Sequence, residues 1–178
     1  MSIIRPPRPE DAPDLLSVHY RSWLATYPKY VEGVTEETIR HKFEKEDGGL
    51  KAREERWRSW ITDPEPGKTV FVAEDGGKVA GFTITRVKPE DESSWIAAMY
   101  VDPDVLARGI GSQLMRAALT QLNAEQNDVR VEVAETNIPA VSFYKHHGFL
   151  FENNLPAYEN SNIKMPQVEL RRPAGRIN

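Results

Sequence analysis

Between residues 101 and 112 an apolar strand pattern passes through a turn carrying Gly109 and Gly111 and continues directly as a helix, with Ile110, Leu114, Ala118 and Leu122 on one face. A strand that feeds a helix in this way needs a sheet to lie in and a helix layer to cover it, which commits the chain to an α/β arrangement. The flanking patterns extend it. Residues 70–73 and 79–84 are apolar and flank Asp75-Gly76-Gly77, a turn of the kind that closes a hairpin, and residues 95–101 supply the next strand. Downstream, Val129, Val131 and Val133 alternate as a strand, and Asn137 opens a last helix that stops at Gly148.

The remaining segments read less sharply. Residues 2–5 form a short edge-type strand ended by prolines at 6, 7 and 9, and residues 11–25 form a helix with acidic residues in its first turn, ending near Tyr27-Pro28. Residues 29–68 are dense in charge and contain Gly48-Gly49, with helical stretches at 35–46 and 53–61; this segment is expected to pack only partly and to move. Residues 149–151 and 168–170 are candidate final strands. The order predicts a mixed α/β sheet with covering helices, in one domain over residues 1–178.

Composition narrows the function. A net charge of −4 over 178 residues speaks against general affinity for nucleic acid or anionic membrane, both of which need a concentrated basic surface. No cysteine is present, so a disulfide, a thiolate nucleophile and a Cys-ligated zinc are excluded, and a reducing cytoplasmic setting is the expectation. No stretch approaches the ~20 apolar residues of a membrane span. His19, His41, His146 and His147 lack ligand-like spacing; His19 falls on the apolar face of the first helix and the adjacent pair His146-His147 reads as solvated, so no metal is expected. Nothing in the sequence decides between a monomer and a homodimer.

The 101–112 corner admits two readings. The first amides of a helix lack intrahelical acceptors and attract phosphate; glycines at 109 and 111 allow close approach, and Arg108 adds a charge. The same glycines also suit a plain strand-to-helix turn. The motif is neither a Gly-Lys-Ser/Thr loop nor a three-glycine dinucleotide fingerprint.

Residues 99–114 resemble the acetyl-CoA motif of the GNAT acetyltransferases, and Asn137-Ile138-Pro139-Ala140-Val141-Ser142-Phe143-Tyr144-Lys145-His146-His147-Gly148-Phe149 resembles their second motif. Segments 22–27 and 53–60 are similar to one GNAT branch as well. Leu106 and Ala107 depart from the usual Gln/Arg and Gly of the loop motif, which implies weaker or re-aimed cofactor contact. The resemblance implies a mostly antiparallel sheet that splays between two strands, with the pantetheine arm of acetyl-CoA in the gap. It further implies cofactor contacts from Met99, Tyr100, Val101, Leu106, Ala107, Arg108, Gly109, Ile110, Gly111, Ser112, Asn137, Ala140 and Tyr144.

In this family the tyrosine matching Tyr144 protonates the departing thiolate. Asn137 and Tyr144, seven residues apart, return to nearly the same helix face. The stretch Val131-Glu132-Val133 resembles that of bacterial N-terminal alanine acetyltransferases, which implies Glu132 as base; a solvent-facing strand residue is the other reading, and Asp91, Glu92 and Glu135 are reserves. Trp23, Tyr27 and Tyr30 are candidates for the acceptor side, with core packing favoured for Trp23. The expected activity is direct transfer of acetyl from acetyl-CoA to a small-molecule or peptide primary amine in a ternary complex. The alternative is a CoA-binding sensor without turnover.

Overall fold

In the computed structural model, residues 2–88, 93–160 and 162–175 are described. Their strands are β1 (Ile3–Arg5), β2 (Lys68–Asp75), β3 (Lys78–Lys88), β4 (Ser93–Val101), β5 (Val129–Ala134), β6 (Leu150–Asn160) and β7 (Ile163–Arg172). The helices are α1 (Ala12–Tyr30), α2 (Glu36–Glu44), α3 (Gly49–Thr62), α4 (Ile110–Gln121) and α5 (Ile138–His146). One sheet orders the strands β1-β2-β3-β4-β5-β7-β6. All neighbours are antiparallel except β4 and β5.

The predicted hairpin forms. Gly76 and Gly77 both take positive φ, 60° and 80°, as the two-residue turn that follows strand twist requires, and Asp75 faces Lys78. The central irregularity lies one strand further on. β4 and β5 pair in parallel only from Ser94↔Val129 to Ile96↔Val131. Immediately beyond, Ile84 of β3 pairs with Ala98 while Thr85 pairs with Ile96, leaving Ala97 as a bulge in β4. A bulge bends its strand and raises local twist, so the two edges part where the bulge sits.

Two helix layers cover the sheet. On one face α1, α2 and α3 bury Leu15, Val18, Trp23, Ile39, Phe43 and Trp57 against Val72 and Phe82; on the other, α4 and α5 bury Met115, Ala118 and Tyr144 against Ile96, Val131 and Val133. Residues 29–68 are therefore anchored through Ile39, Phe43 and Trp57, at 0%, 1% and 4% exposure, more firmly than their charge suggested. Thr35 caps α2, its hydroxyl accepting from the Thr38 amide at 3.1 Å. Among the described residues no helix is long and apolar enough to cross a membrane.

Two local expectations are corrected. The first helix runs through Pro28 to Tyr30, because a proline in a last turn removes a single helix bond just before the helix would end anyway. The final strands are a long hairpin, β6 and β7. Pro156 and Pro166 concealed it, but both lie where register slips between Leu155 and Tyr158, at a break in the ladder that tolerates a missing N–H. His19 packs inward with the apolar face of α1: the rings of Trp23, Phe43, Trp57, Phe82 and Tyr100 surround it at 4.9–6.4 Å. Burial, reinforced by Arg53 and Lys42, pushes its pKa down to about 3, so it is neutral at pH 7.

Candidate active site

The corner between β4 and α4 is held from both sides. Asp102 accepts a hydrogen bond from the Asp104 amide at 2.9 Å, and Arg21 of α1 reaches Asp102 and Asp104 at 2.8 and 2.6 Å. Beyond this clamp Leu106 is 60% exposed and Ala107 and Arg108 also face solvent. Gly109 caps α4 with φ +79°, and the first helix bond runs from Gln113 N–H to Gly109 C=O at 3.1 Å. The amides of Ile110, Gly111 and Ser112 precede that bond, have no helical acceptor, and sit at the positive end of a twelve-residue helix.

The two glycines have different physical reasons. A Cβ at Gly109 would meet nothing within 4 Å, so the space before the helix is open to a phosphate. A Cβ at Gly111 would lie 3.3 Å from the Phe143 ring, so that glycine admits α5 alongside α4 instead of clearing room for a ligand. This corrects the sequence reading. Ala107 is the exception in the loop, held at φ +62° where a Cβ is disfavoured by about 1–2 kcal/mol. Ala107→Gly is expected to stabilise the protein by about 0.5–1 kcal/mol, after the larger unfolded-state entropy of glycine is subtracted. A urea midpoint at or below that of the parent would refute this.

A cleft of about 780 Å³ begins at this corner and follows the gap between β4 and β5. Met99, Tyr100 and Val101 line it from β4, Leu106, Ala107, Gly109, Ile110, Gly111 and Ser112 from the corner, and Asn137, Ala140 and Tyr144 from α5. Arg108 is exposed and does not line it. Asn137 also caps α5, its Oδ1 accepting from the Ala140 amide at 3.3 Å.

Tyr144 is 7% exposed, with Phe143 and Phe149 at ring distances of 5.6 and 5.5 Å. Burial, with a smaller contribution from Tyr100, holds its phenol well above the ordinary tyrosine pKa. Its hydroxyl has no hydrogen-bond partner among the described residues. Val131 and Val133 pack in the same core as Tyr144, so Glu132 points to the opposite face of β5. There Glu132 is exposed, lines the cleft, and stands across from Glu169 of β7, which is buried and ion-paired with Arg130. Tyr144 and Glu132 thus approach the gap from its two sides. Glu135 is exposed and does not line the cleft, and Asp91 and Glu92 lie outside the described residues.

Trp23, Tyr27 and Tyr30 line the far end, and Trp23 is at once core and wall, its indole donating to the Tyr100 hydroxyl at 3.0 Å. Burial and the neighbouring Tyr100 hydroxyl hold the Tyr27 phenol well above the ordinary value. Tyr158, Met165 and Gln167 of the β6–β7 hairpin complete this end and were missed in the sequence, because the hairpin itself was read too short.

Residues 31–149 match the model of the acetyltransferase (GNAT) family. The chain belongs to the GNAT family. The match spans both motifs with α4 and α5, and begins just after α1. Among curated GNAT relatives, the peptidyl-lysine N-acetyltransferase YiaC of Escherichia coli (strain K12) is 34% identical over 79 residues, 44% of this chain and 48% of that protein. Mycothiol acetyltransferase of Clavibacter michiganensis subsp. michiganensis is 34% identical over 86 residues, 48% of this chain and 28% of that protein. The similarity therefore spans less than half the length of either relative. Among solved structures, the PaiA N-acetyltransferase of Thermoplasma acidophilum in complex with coenzyme A superposes with a TM-score of 0.70 at 20% identity, over 97% of this chain and 99% of that one. An N-acetyltransferase from Staphylococcus aureus Mu50 gives 0.71 at 16% identity, over 97% and 98%. Both share the fold.

Proposed function

We propose that this GNAT protein is an N-acetyltransferase that moves acetyl from acetyl-CoA to a primary amine, with both substrates bound together. The observation that carries the reading is the gap between β4 and β5, with an open helix N-terminus at one end and a buried phenol and an exposed carboxylate on its two sides. The relatives named as lysine and mycothiol acetyltransferases, and the CoA complex of a protein with this fold, support it.

Acetyl-CoA supplies the activated acetyl group. The amides of residues 110–112 receive its pyrophosphate, and the unpaired edges of β4 and β5 receive the amides of its pantetheine arm, groups that the splay would otherwise leave without partners. The Met99 or Tyr100 backbone amide polarises the carbonyl. Glu132 takes a proton from the ammonium, directly or through water, freeing the nitrogen to form the C–N bond. As the C–S bond breaks, Tyr144 gives its phenolic proton to the sulfur, and the second proton shed by the nitrogen as it becomes an amide restores the phenol through solvent. Trp23, Tyr27 and Tyr30 of α1 wall the acceptor side.

The test is CoA release over a panel of amines, followed with the parent protein and Glu132→Gln. Release with at least one amine is expected, with kcat/KM falling roughly 10²-fold in the variant, the lower end of general-base effects. Acetyl-CoA binding without release from any amine would favour a sensor, and an unchanged rate in Glu132→Gln would return that residue to the outer face of its strand.

A further inference from the structure

Next to the acceptor end, on α2 and outside the residues that line the cleft, lies a cation with no ion-pair partner among the described residues. Lys42 of α2 is 7% exposed, and its ammonium lies 5.6 Å from the ring centroid of Trp23 and 5.7 Å from that of Tyr158, two rings that line the cleft. No carboxylate among the described residues pairs with it. The nearby acids are engaged elsewhere: Glu36 and Glu44 with Arg40, Glu46 with His41, and Asp47 with Arg53. The other basic groups at hand add no negative charge, since Arg53 donates to the Lys42 and Phe43 carbonyls and His19 is neutral.

Burying an ammonium is costly unless it is paired, and two aromatic faces return only part of what water gave it. Among the described residues no side-chain nitrogen or oxygen is both sealed from solvent and unpartnered. The Lys42 ammonium, which has no hydrogen-bond partner among them, is therefore open to solvent, and the rings it rests on place that opening beside the cleft.

We propose that Lys42 receives a carboxylate of the acceptor, so that the substrate is an amine carrying a carboxylate on the same molecule. This deepens the acetyltransferase reading and rests on it. A single ammonium among aromatic walls suits a singly charged group; a phosphate would call for more donors than are gathered here. The carboxylate belongs either to a free amino acid or to a short peptide, sources that share this chemistry.

The experiment measures binding to the CoA-saturated protein by calorimetry and by tryptophan fluorescence, which Trp23 reports directly. The probes are free α-amino acids, ω-amino acids of increasing length and dipeptides, each beside its carboxamide. At least one acid is expected to bind about tenfold or more tightly than its amide, and the series that does so identifies the source. Lys42→Arg should keep the preference, and Lys42→Met should bring the acid down to the affinity of the amide. Equal binding of every acid and amide by the parent protein, no binding by any probe, or a preference surviving in Lys42→Met would overturn the proposal. The same probes are then given with acetyl-CoA. Preference without CoA release would keep the Lys42 site and remove the acetyltransferase reading, whereas release without preference would do the reverse.

Discussion

Tyr144→Phe is expected to lower kcat by roughly 10²-fold while acetyl-CoA affinity stays at the parent value. The substitution keeps the ring that packs on Phe143 and Phe149 and removes only the hydroxyl, which has no hydrogen-bond partner among the described residues whose loss would unsettle the fold. The direction of the pKa shift agrees with the proposed role: a phenol held above its ordinary value is protonated at neutral pH and is available as a donor. Steady-state kinetics beside calorimetry separate the two quantities. A kcat within twofold of the parent would move the proton donor elsewhere in the tyrosine group, to Tyr27 or Tyr100.

Gly111→Val should weaken acetyl-CoA binding at least about tenfold and also destabilise the fold by about 1–3 kcal/mol, the usual cost of overpacking a fitted contact. The Cβ alone would come within 3.3 Å of the Phe143 ring, and two further methyls push α4 away from α5 and carry the amides of residues 110–112 with it. Calorimetry reads the first effect and urea denaturation the second. Lower stability with unchanged affinity would mean that the glycine serves packing alone and that the pyrophosphate lies elsewhere.

The middle of the chain was legible because its signals are local. The Gly76-Gly77 turn, the valine alternation of β5 and the caps at Gly109 and Asn137 each rest on a few adjacent residues, and all appear where expected. The β4–β5 gap was not visible in either strand, since a ladder ends by the relation of two segments thirty residues apart; it came from family resemblance. Tyr158 and Lys42 were hidden for a similar reason. Prolines made the β6–β7 hairpin look like loop, and Lys42 reads as one more charge in a charged segment until the rings around it are assembled. The residues proposed to meet the acceptor are the ones whose meaning is wholly tertiary.

In the sheet order β6 touches only β7, and β7 touches β5. The strands from β1 to β4 can pair neighbour upon neighbour in chain order, but β6 has no native partner until β7 turns back between it and β5. Tyr158 rides on that outer strand. The end of the cleft that Tyr158 lines therefore depends on the last strand of the sheet, whereas the corner between β4 and α4 does not.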